Sequence, residues 1–536
     1  MSGCWAVLWW FSSLTLVYHS GCYLIDTIAA TSFNHMHNYI NASNLDQDYC
    51  EKKVKLTNLD EWKLSTEMFT ATLPIDHIQE NYVREVQDCI FSVGYPTPFK
   101  SRVLLVAVSE FGSWAGQLGD GRAHLIGIYT NRFGSRWELQ LKGSGRTPYS
   151  RRGDGRTVLR SSIREFLGSE AMHYLGIPTS RVASLVVSDD NVWRDQFYNG
   201  NIKKERGAVV LRIAKSWFRI GSLEILAHSG ELDLLRMLLD MVIKEHFPKI
   251  NINDSNKYLA FFSQVVSETA HLIALWMSVG FAHGVCNTDN FSLLSITIDY
   301  GPFGFMDAYD PDFVPNTSDD EGRYNIGNQA NVGIFNLNKL LKALNPLFNP
   351  RQKQLASQIL EEYPQQYNKG FLELFKTKLG LLGENEDDDY LIAFLLKLME
   401  DTRADFTMTF WQLGEISENQ LKDRNIPKEF WALQDVAKHK NFSTWIAMYF
   451  LRLKRNIDDS DYERRRRMST VNPRYVLRNW MAESAVQKAE INDFSEVRFL
   501  QQVLQHPFQV QALAERAGYA QRPPAWAKDV KVSCSS

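Results

Sequence analysis

The sequence predicts an α+β protein in two parts, a strand-rich N-terminal lobe followed by a larger helical lobe with a helical C-terminal extension. Three observations predict it. From Arg102 to about Ile220, short alternating runs and glycine-rich turns surround one amphipathic segment. Beyond Ser222, apolar residues recur at i, i+3 and i+4, the spacing of helices that bury one face. The composition is that of a globular chain: 44% hydrophobic and 23% charged over 536 residues, long enough to bury a large core without a disulfide framework. It argues against a disordered tail protein, a collagen or a multi-span membrane protein. With 59 Lys+Arg against 62 Asp+Glu, the net charge of −3 also excludes the basic footprint of non-specific nucleic-acid binding.

The elements follow in order. Trp5–Val17 is a 13-residue apolar stretch, short of the roughly 20 residues that span a bilayer. Its length suits a signal-peptide core ending near Ala29-Ala30, yet no Lys or Arg precedes Lys52, so a basic n-region and an Arg-rich transit helix are both missing. A stray leader over 1–44 and a working signal are both open readings. Trp137–Lys142 alternates apolar and polar residues, the period of a half-buried strand, and Gly143-Ser144-Gly145 turns the chain. Ile163, Phe166, Leu167, Ala171 and Tyr174 mark a helix that Gly176 and Pro178 stop. Val209–Ile213 reads as a strand, Glu231–Ile243 and Tyr258–Val279 as amphipathic helices, and Leu293–Ile298 as a short strand before Asp299. The charge runs Glu384–Asp389 and Arg464–Arg467 read as solvated faces. The expected bounds are 45–222 for the strand-rich lobe, 223–505 for the helical lobe and 506–536 for the tail.

The six cysteines form no C-x-x-C pair, so a zinc ribbon is not expected and any metal would be held by oxygen ligands. Chemistry concentrates at glycine-rich turns and one acidic turn. Gly-Asp-Gly-Arg occurs twice, at Gly119–Arg122 and Gly153–Arg156, flanking the strand that ends in Lys142. Glycines let backbone N–H groups approach a phosphate, and arginine adds a fork of donors. No P-loop and no Rossmann fingerprint is present. Glu165 lies 23 residues after Lys142. A strand lysine held by a helix glutamate aims an ammonium at nucleotide phosphates in kinase-like folds; equally, Ser162–Glu165 is a capping-box pattern. His283-Gly-Val-Cys-Asn287-Thr-Asp289-Asn290, followed by Asp299-Tyr300-Gly301, delivers a carboxylate and oxygen ligands in kinase order. Asp289 then orients a hydroxyl while Asn290 and Asp299 hold a metal; the bland alternative is an Asx-rich turn. His283 reads as structural. Arg212 and Arg219 suit phosphate, or lie on the surface as most arginines do.

The strings GQLGDGR (116–122), ELQLKGSGRTPYSRRGDGRTVLRSSIREFLGSEAMHYLGIPTSR (138–181), NTDNFS (287–292), TIDYGPFGFMDAYDP (297–311), NPRYVLRNWMAE (472–483) and the ending Cys534-Ser-Ser resemble the selenoprotein O family. The resemblance runs from about Thr70 to Ser536. It implies a protein-kinase-like two-lobed fold that binds ATP in a flipped orientation and transfers AMP to Ser, Thr or Tyr hydroxyls of protein substrates, with Mg2+ or Mn2+. It implies Asp289 as proton acceptor, Asn290 and Asp299 as metal ligands, and nucleotide contacts at Gly119, Gly121, Arg122, Lys142, Asp154, Gly155, Arg212, Arg219 and Asp299. It tips Lys142 and Glu165 towards an ion pair and gives Cys534 a redox role, at a position where several animal relatives carry selenocysteine. A mitochondrial location is implied for animal members and a cytoplasmic one for bacterial members; the apolar leader suggests the secretory pathway instead. No stable membrane span and no nucleic-acid partner are expected. The chain departs from the family where Pro98–Ser109 runs almost directly into Phe111-Gly112, so the strand-rich lobe is expected to lack a piece there. Residues alone leave a conventional phosphotransferase and a catalytically silent nucleotide-binding or redox scaffold as alternatives.

Overall fold

The computed structural model describes residues 64–65, 75–76, 91–94, 101–110, 113–130, 135–150, 153–456 and 458–533. The leader, Phe111-Gly112 and Cys534 lie outside them.

Strands dominate up to Ala214. Among the described residues, β1 (Leu64–Ser65), β2 (Ile75–Asp76), β3 (Phe91–Gly94), β4 (Ser101–Glu110), β5 (Ser113–Gly119), β6 (Ala123–Thr130), β7 (Arg136–Lys142), β8 (Thr157–Val158), β9 (Arg181–Asp195) and β10 (Ile202–Ala214) form one sheet. Its path is β2-β3-β4-β6-β7-β10-β8, with β1 on β6, β5 on β4 and β9 on β10. Pairing is antiparallel except between β2 and β3. The junction at which a missing piece is expected falls between β4 and β5, with Glu110 opposite Ser113.

The centre of the sheet is β6-β7-β10, with Ala123 and Val210 both opposite Lys142. The alternation in β7 does not make it half-buried: Leu139 is buried on one face, while Glu138, Gln140 and Lys142 are buried on the other. Polar period-2 residues here turn towards buried polar partners instead of towards water. Helix α1 (Leu159–Tyr174) crosses the sheet, burying Leu159, Ile163 and Leu167 completely. It starts from Val158 without a side-chain cap, and Ser162 Oγ bonds to Thr157 Oγ1. The capping-box reading of Ser162–Glu165 therefore fails, because the helix begins a turn earlier and Glu165 sits in its interior.

From Ile220 the chain is mainly helical. Helices α2 (Ile220–Ser229), α3 (Leu232–His246) and α4 (Lys257–Ser278) come first, and further helices extend to Arg516. By length and composition α4 is apolar enough to cross a membrane, but 56% of its most apolar window is buried inside the protein. One hydrophobic core runs from the sheet (Leu125, Val210) through α1 and α4 to the C-terminal helices, and a second fills the helical part around Phe406, Trp445 and Met468. The C-terminal helices Asn479–Glu490 and Ser495–Leu504 pack back onto α1.

Two sequence expectations are corrected. Leu293–Ile298 is no strand: it is a turn with Ser295 in the left-handed region, joined to its neighbours by isolated bridges such as Thr179–Thr297 and Phe291–Thr297 and by single hydrogen bonds. Apolar content signalled burial, and the bridging neighbours made a regular ladder unnecessary. The charge runs are only partly solvated. Asp388 is buried against Arg452 at 2.5 Å, and Arg464 is buried with its guanidinium on the carbonyls of Leu413 and Ile416. Arg464 thereby saturates carbonyls at a helix end that water cannot reach.

Candidate active site

The site is built where β7, β10, α1 and the segment around Asp299 meet. Lys142, the last residue of β7, places Nζ 2.7 Å from Glu165 on α1 and 3.8 Å from Asp299. Glu165 also accepts from Arg212 Nη1 at 2.9 Å, and the same nitrogen lies 2.5 Å from Asp299 Oδ1. Arg219, at the N-cap of α2, donates to Asp299 Oδ2 at 2.9 Å and to Asp120 Oδ1 at 3.0 Å. Both arginines are at most 2% exposed, so the surface reading of the pair is wrong. Arg122 lies within electrostatic range of Glu165 and Asp299. Four cations thus surround the carboxylates of Asp120, Glu165 and Asp299, leaving an excess of positive charge suited to a polyanion.

The electrostatics follow from burial and pairing. Burial pushes the Asp299 carboxyl up, but Arg212, Arg219 and Lys142 outweigh it and hold the group well below the usual carboxylate range. Burial opposes the charge of Arg212, and Asp299 and Glu165 more than restore it. For Lys142 and Arg122 burial prevails and lowers both. Asp299 also has φ of 57°, a left-handed backbone that costs a non-glycine residue energy unless its surroundings enforce it. The enforcement is visible: buried His283 contacts the Ile298 carbonyl through Nε2 at 2.9 Å, and Tyr300 OH meets Thr179. Burial lowers the His283 pKa, as suits a structural histidine.

Asp289 and Asn290 sit in a single 3-10 turn, Thr288–Asn290. Asn287 anchors it, its carboxamide oxygen accepting from Tyr324 OH, and Asn336 Nδ2 holds the Cys286 carbonyl at 2.7 Å. The turn is tied to the cation cluster through the backbone. Ile220 N donates to Phe291 O at 2.9 Å and Leu293 N to Phe218 O at 3.0 Å, on either side of Arg219.

The second glycine turn packs on the first. Gly155 has φ of 70°, and a Cβ there would lie 2.0 Å from the Gly145 carbonyl oxygen, so only glycine fits. Asp154 is not drawn into the cluster: Arg194 holds it in a bidentate pair at 2.7 and 2.8 Å. Gly119 ends β5 opposite Leu105, and Gly121 lies beneath the Tyr149 carbonyl.

Three participants went unread in the sequence. Asp120 and Gln140 link the arginines, and their signal was available: Asp120 lies inside Gly-Asp-Gly-Arg, and Gln140 shares a face of β7 with Lys142. Arg478, inside NPRYVLRNWMAE, is buried and joins Asp405 at 2.7 Å to Asp307. It staples the segment that follows Asp299, a role that needs tertiary neighbours to be seen.

Among the described residues no three acidic, His or Cys side chains gather into an all-protein metal cage. The donor set nevertheless suits magnesium, which takes one or two protein oxygens and completes its shell with water and phosphate. Asp299 is firmly anionic, and Asn290 spends its amide N–H on the Val285 carbonyl at 2.9 Å, which turns its carboxamide oxygen away from that carbonyl.

Paired lysine and arginines over a buried glutamate, beside a carboxylate–carboxamide turn, define a nucleotide-handling transferase. Comparison with known proteins makes this specific. Residues 52–505 match the family described as protein adenylyltransferase SelO, and the chain belongs to that family. It is similar to the protein nucleotidyltransferase YdiU of Azoarcus sp. (strain BH72), 46% identical over 437 residues covering 80% of this chain and 82% of the relative. It is also 43% identical to YdiU of Pseudomonas fluorescens (strain SBW25), over 81% of this chain and 85% of the relative. Nucleotidyl transfer is thus the enzyme class of the chain.

Proposed function

We propose that this chain is a two-lobed, kinase-like enzyme that moves AMP from ATP onto Ser, Thr or Tyr hydroxyls of protein substrates and requires Mg2+ or Mn2+. In this reading the strand-rich lobe covers 45–222 and the helical lobe 223–505. The observation that carries it is the cluster in which Lys142, Arg212 and Arg219 converge on Asp299 within 3.8 Å.

Arg122, Lys142, Arg212 and Arg219 neutralise the polyphosphate; each aligned, charge-assisted contact contributes about 1.5–3 kcal/mol. Glu165 keeps the lysine and Arg212 in register, so the cations need no reorganisation when charge develops. The glycines at 119, 121 and 155 let backbone approach the nucleotide. Asp289 orients the incoming hydroxyl and takes its proton as the hydroxyl oxygen bonds to the α-phosphorus. The bond from that phosphorus to the bridging oxygen breaks, and pyrophosphate leaves. Asn290 and Asp299 would hold a divalent ion, which supplies further neutralisation of the phosphates when bound. A net charge of −3 leaves protein substrates to be met through local surfaces.

Incubation with ATP labelled at either the α or the γ phosphorus tests the reading. Label from the α position alone is expected on the acceptor protein. Label from the γ position alone would make the chain a conventional phosphotransferase, and binding without any transfer would make it a scaffold.

A further inference from the structure

We propose that Asp120 and Gln140 are positioning residues that hold Arg219 and Arg212 as one preset pair facing the phosphates of the nucleotide. The proposal rests on the nucleotide-binding part of the reading above.

The link is a continuous chain of hydrogen bonds. Asp120 lies in the turn between β5 and β6 with its side chain 10% exposed, and accepts from Arg219 Nη2 at 3.0 Å and Nη1 at 3.3 Å. It also accepts from Gln140 Nε2 at 2.8 Å. Gln140 is buried on β7, and its Oε1 accepts from Arg212 Nη2. Beneath Arg212, the Trp217 ring lies 4.4 Å from the guanidinium carbon. Each guanidinium is therefore fixed from the sheet side and still reaches Asp299, Arg212 through its other nitrogen Nη1 and Arg219 through Nη2, which it shares between Asp120 and Asp299.

Chemistry explains why these residue types stand here. The position between Asp120 and Arg212 must donate to a carboxylate and accept from a guanidinium at once, and a neutral carboxamide does both. Glutamate would face Asp120 with a like charge, and lysine would face Arg212 with one. Position 120 must present two acceptor oxygens, Oδ1 to Arg219 and Oδ2 to Gln140 and Arg219 together, which a carboxylate supplies. Asp299 is the other anion on both arginines, and it is also the residue through which they touch the reaction centre. When phosphate oxygens take its place on the guanidiniums, Asp120 and Gln140 are the contacts that keep the pair aligned.

The test separates phosphate recognition from folding and from transfer. Binding of ATP and of adenosine is measured by calorimetry with all metal chelated, for wild type, Asp120→Asn, Asp120→Glu and Gln140→Leu, together with kcat and KM for AMP transfer with magnesium present. Loss of one charged, buried link is expected to weaken ATP about 10- to 100-fold in Asp120→Asn and Gln140→Leu. Adenosine affinity should be unchanged, KM should rise with kcat little altered, and Asp120→Glu should recover part of the loss. Equal weakening of ATP and adenosine, or of neither, overturns the proposal; so does failure of both Asp120→Asn and Gln140→Leu to fold, which would make the pair structural. Absence of AMP transfer in wild type, with the ATP-selective loss intact, would instead overturn the functional reading and leave the positioning role standing.

Discussion

Asp299→Asn probes the centre of the site because the carboxylate serves two sets of partners. Without nucleotide it neutralises Arg212 at 2.5 Å, Arg219 at 2.9 Å and Lys142 at 3.8 Å, all with side chains no more than 9% exposed. Removing one member of a buried ion pair costs about 3–5 kcal/mol. Asparagine keeps one acceptor oxygen, and Asp120 and Glu165 still face the cations, so the low end of about 3 kcal/mol applies. At roughly 2 °C per kcal/mol for a large chain, the thermal midpoint should fall by about 6 °C. ATP with metal chelated should then raise the midpoint of the variant more than that of wild type, because its phosphates meet guanidiniums no longer engaged by a carboxylate. Magnesium-dependent AMP transfer should be lost. Thermal unfolding with and without ATP, alongside the transfer assay, reads all three. An unchanged midpoint would refute the clamp, and full transfer activity would remove Asp299 from the reaction.

Two pH effects of opposite sign follow from buried groups outside the cluster. Burial pushes the Glu138 carboxyl up from 4.5 to about 8, against the pull of Trp217 N–H and Arg136. The folded protein therefore binds the extra proton, and stability falls as pH rises from 4.5 to 8. Glu138→Gln, a mimic of the protonated form, should exceed wild type by about 4 kcal/mol at pH 8 and lose that advantage near pH 4.5 in chemical denaturation; parallel pH profiles would contradict this. Lys378 is buried with its ammonium 4.4 Å from the Phe410 ring centroid, and burial lowers it from 10.5 to about 7. Here the unfolded chain binds the extra proton, so wild-type stability rises between pH 7 and 10.5. Lys378→Met should be the more stable protein by about 5 kcal/mol at pH 6, with the gap closing as pH rises; a gap that stays constant with pH would show that the ammonium is solvated.

Much of the architecture was legible because period and punctuation agree. The helix expected around Ile163–Tyr174 forms over Leu159–Tyr174, and that expected over Tyr258–Val279 forms over Lys257–Ser278. Val209–Ile213 lies inside a longer strand, Ile202–Ala214. What misled was polarity read as exposure. Glu138, Gln140 and Lys142 alternate like solvent-facing residues, yet all three are buried, Gln140 and Lys142 in the ion network and Glu138 on the Trp217 backbone N–H. Arg464 and Asp388 sit in charge runs but are buried with partners distant in sequence. Of the residues singled out for the site, Lys142, Glu165, Arg212, Arg219 and Asp299 converge in one ion network, whereas Asp154 pairs with Arg194. The sequence carries which groups are charged; only the packing of β7, β10 and α1 reveals which charges share a partner.

The most direct measurement is intact-mass analysis of the purified chain and a hydroxyl-bearing acceptor protein after incubation with Mg-ATP, with Asp289→Ala alongside. The wild type is expected to leave the acceptor heavier by one or more adenylates, with no such species formed by the variant. An acceptor heavier only by phosphate, or an equal adenylate yield from Asp289→Ala, would contradict the account.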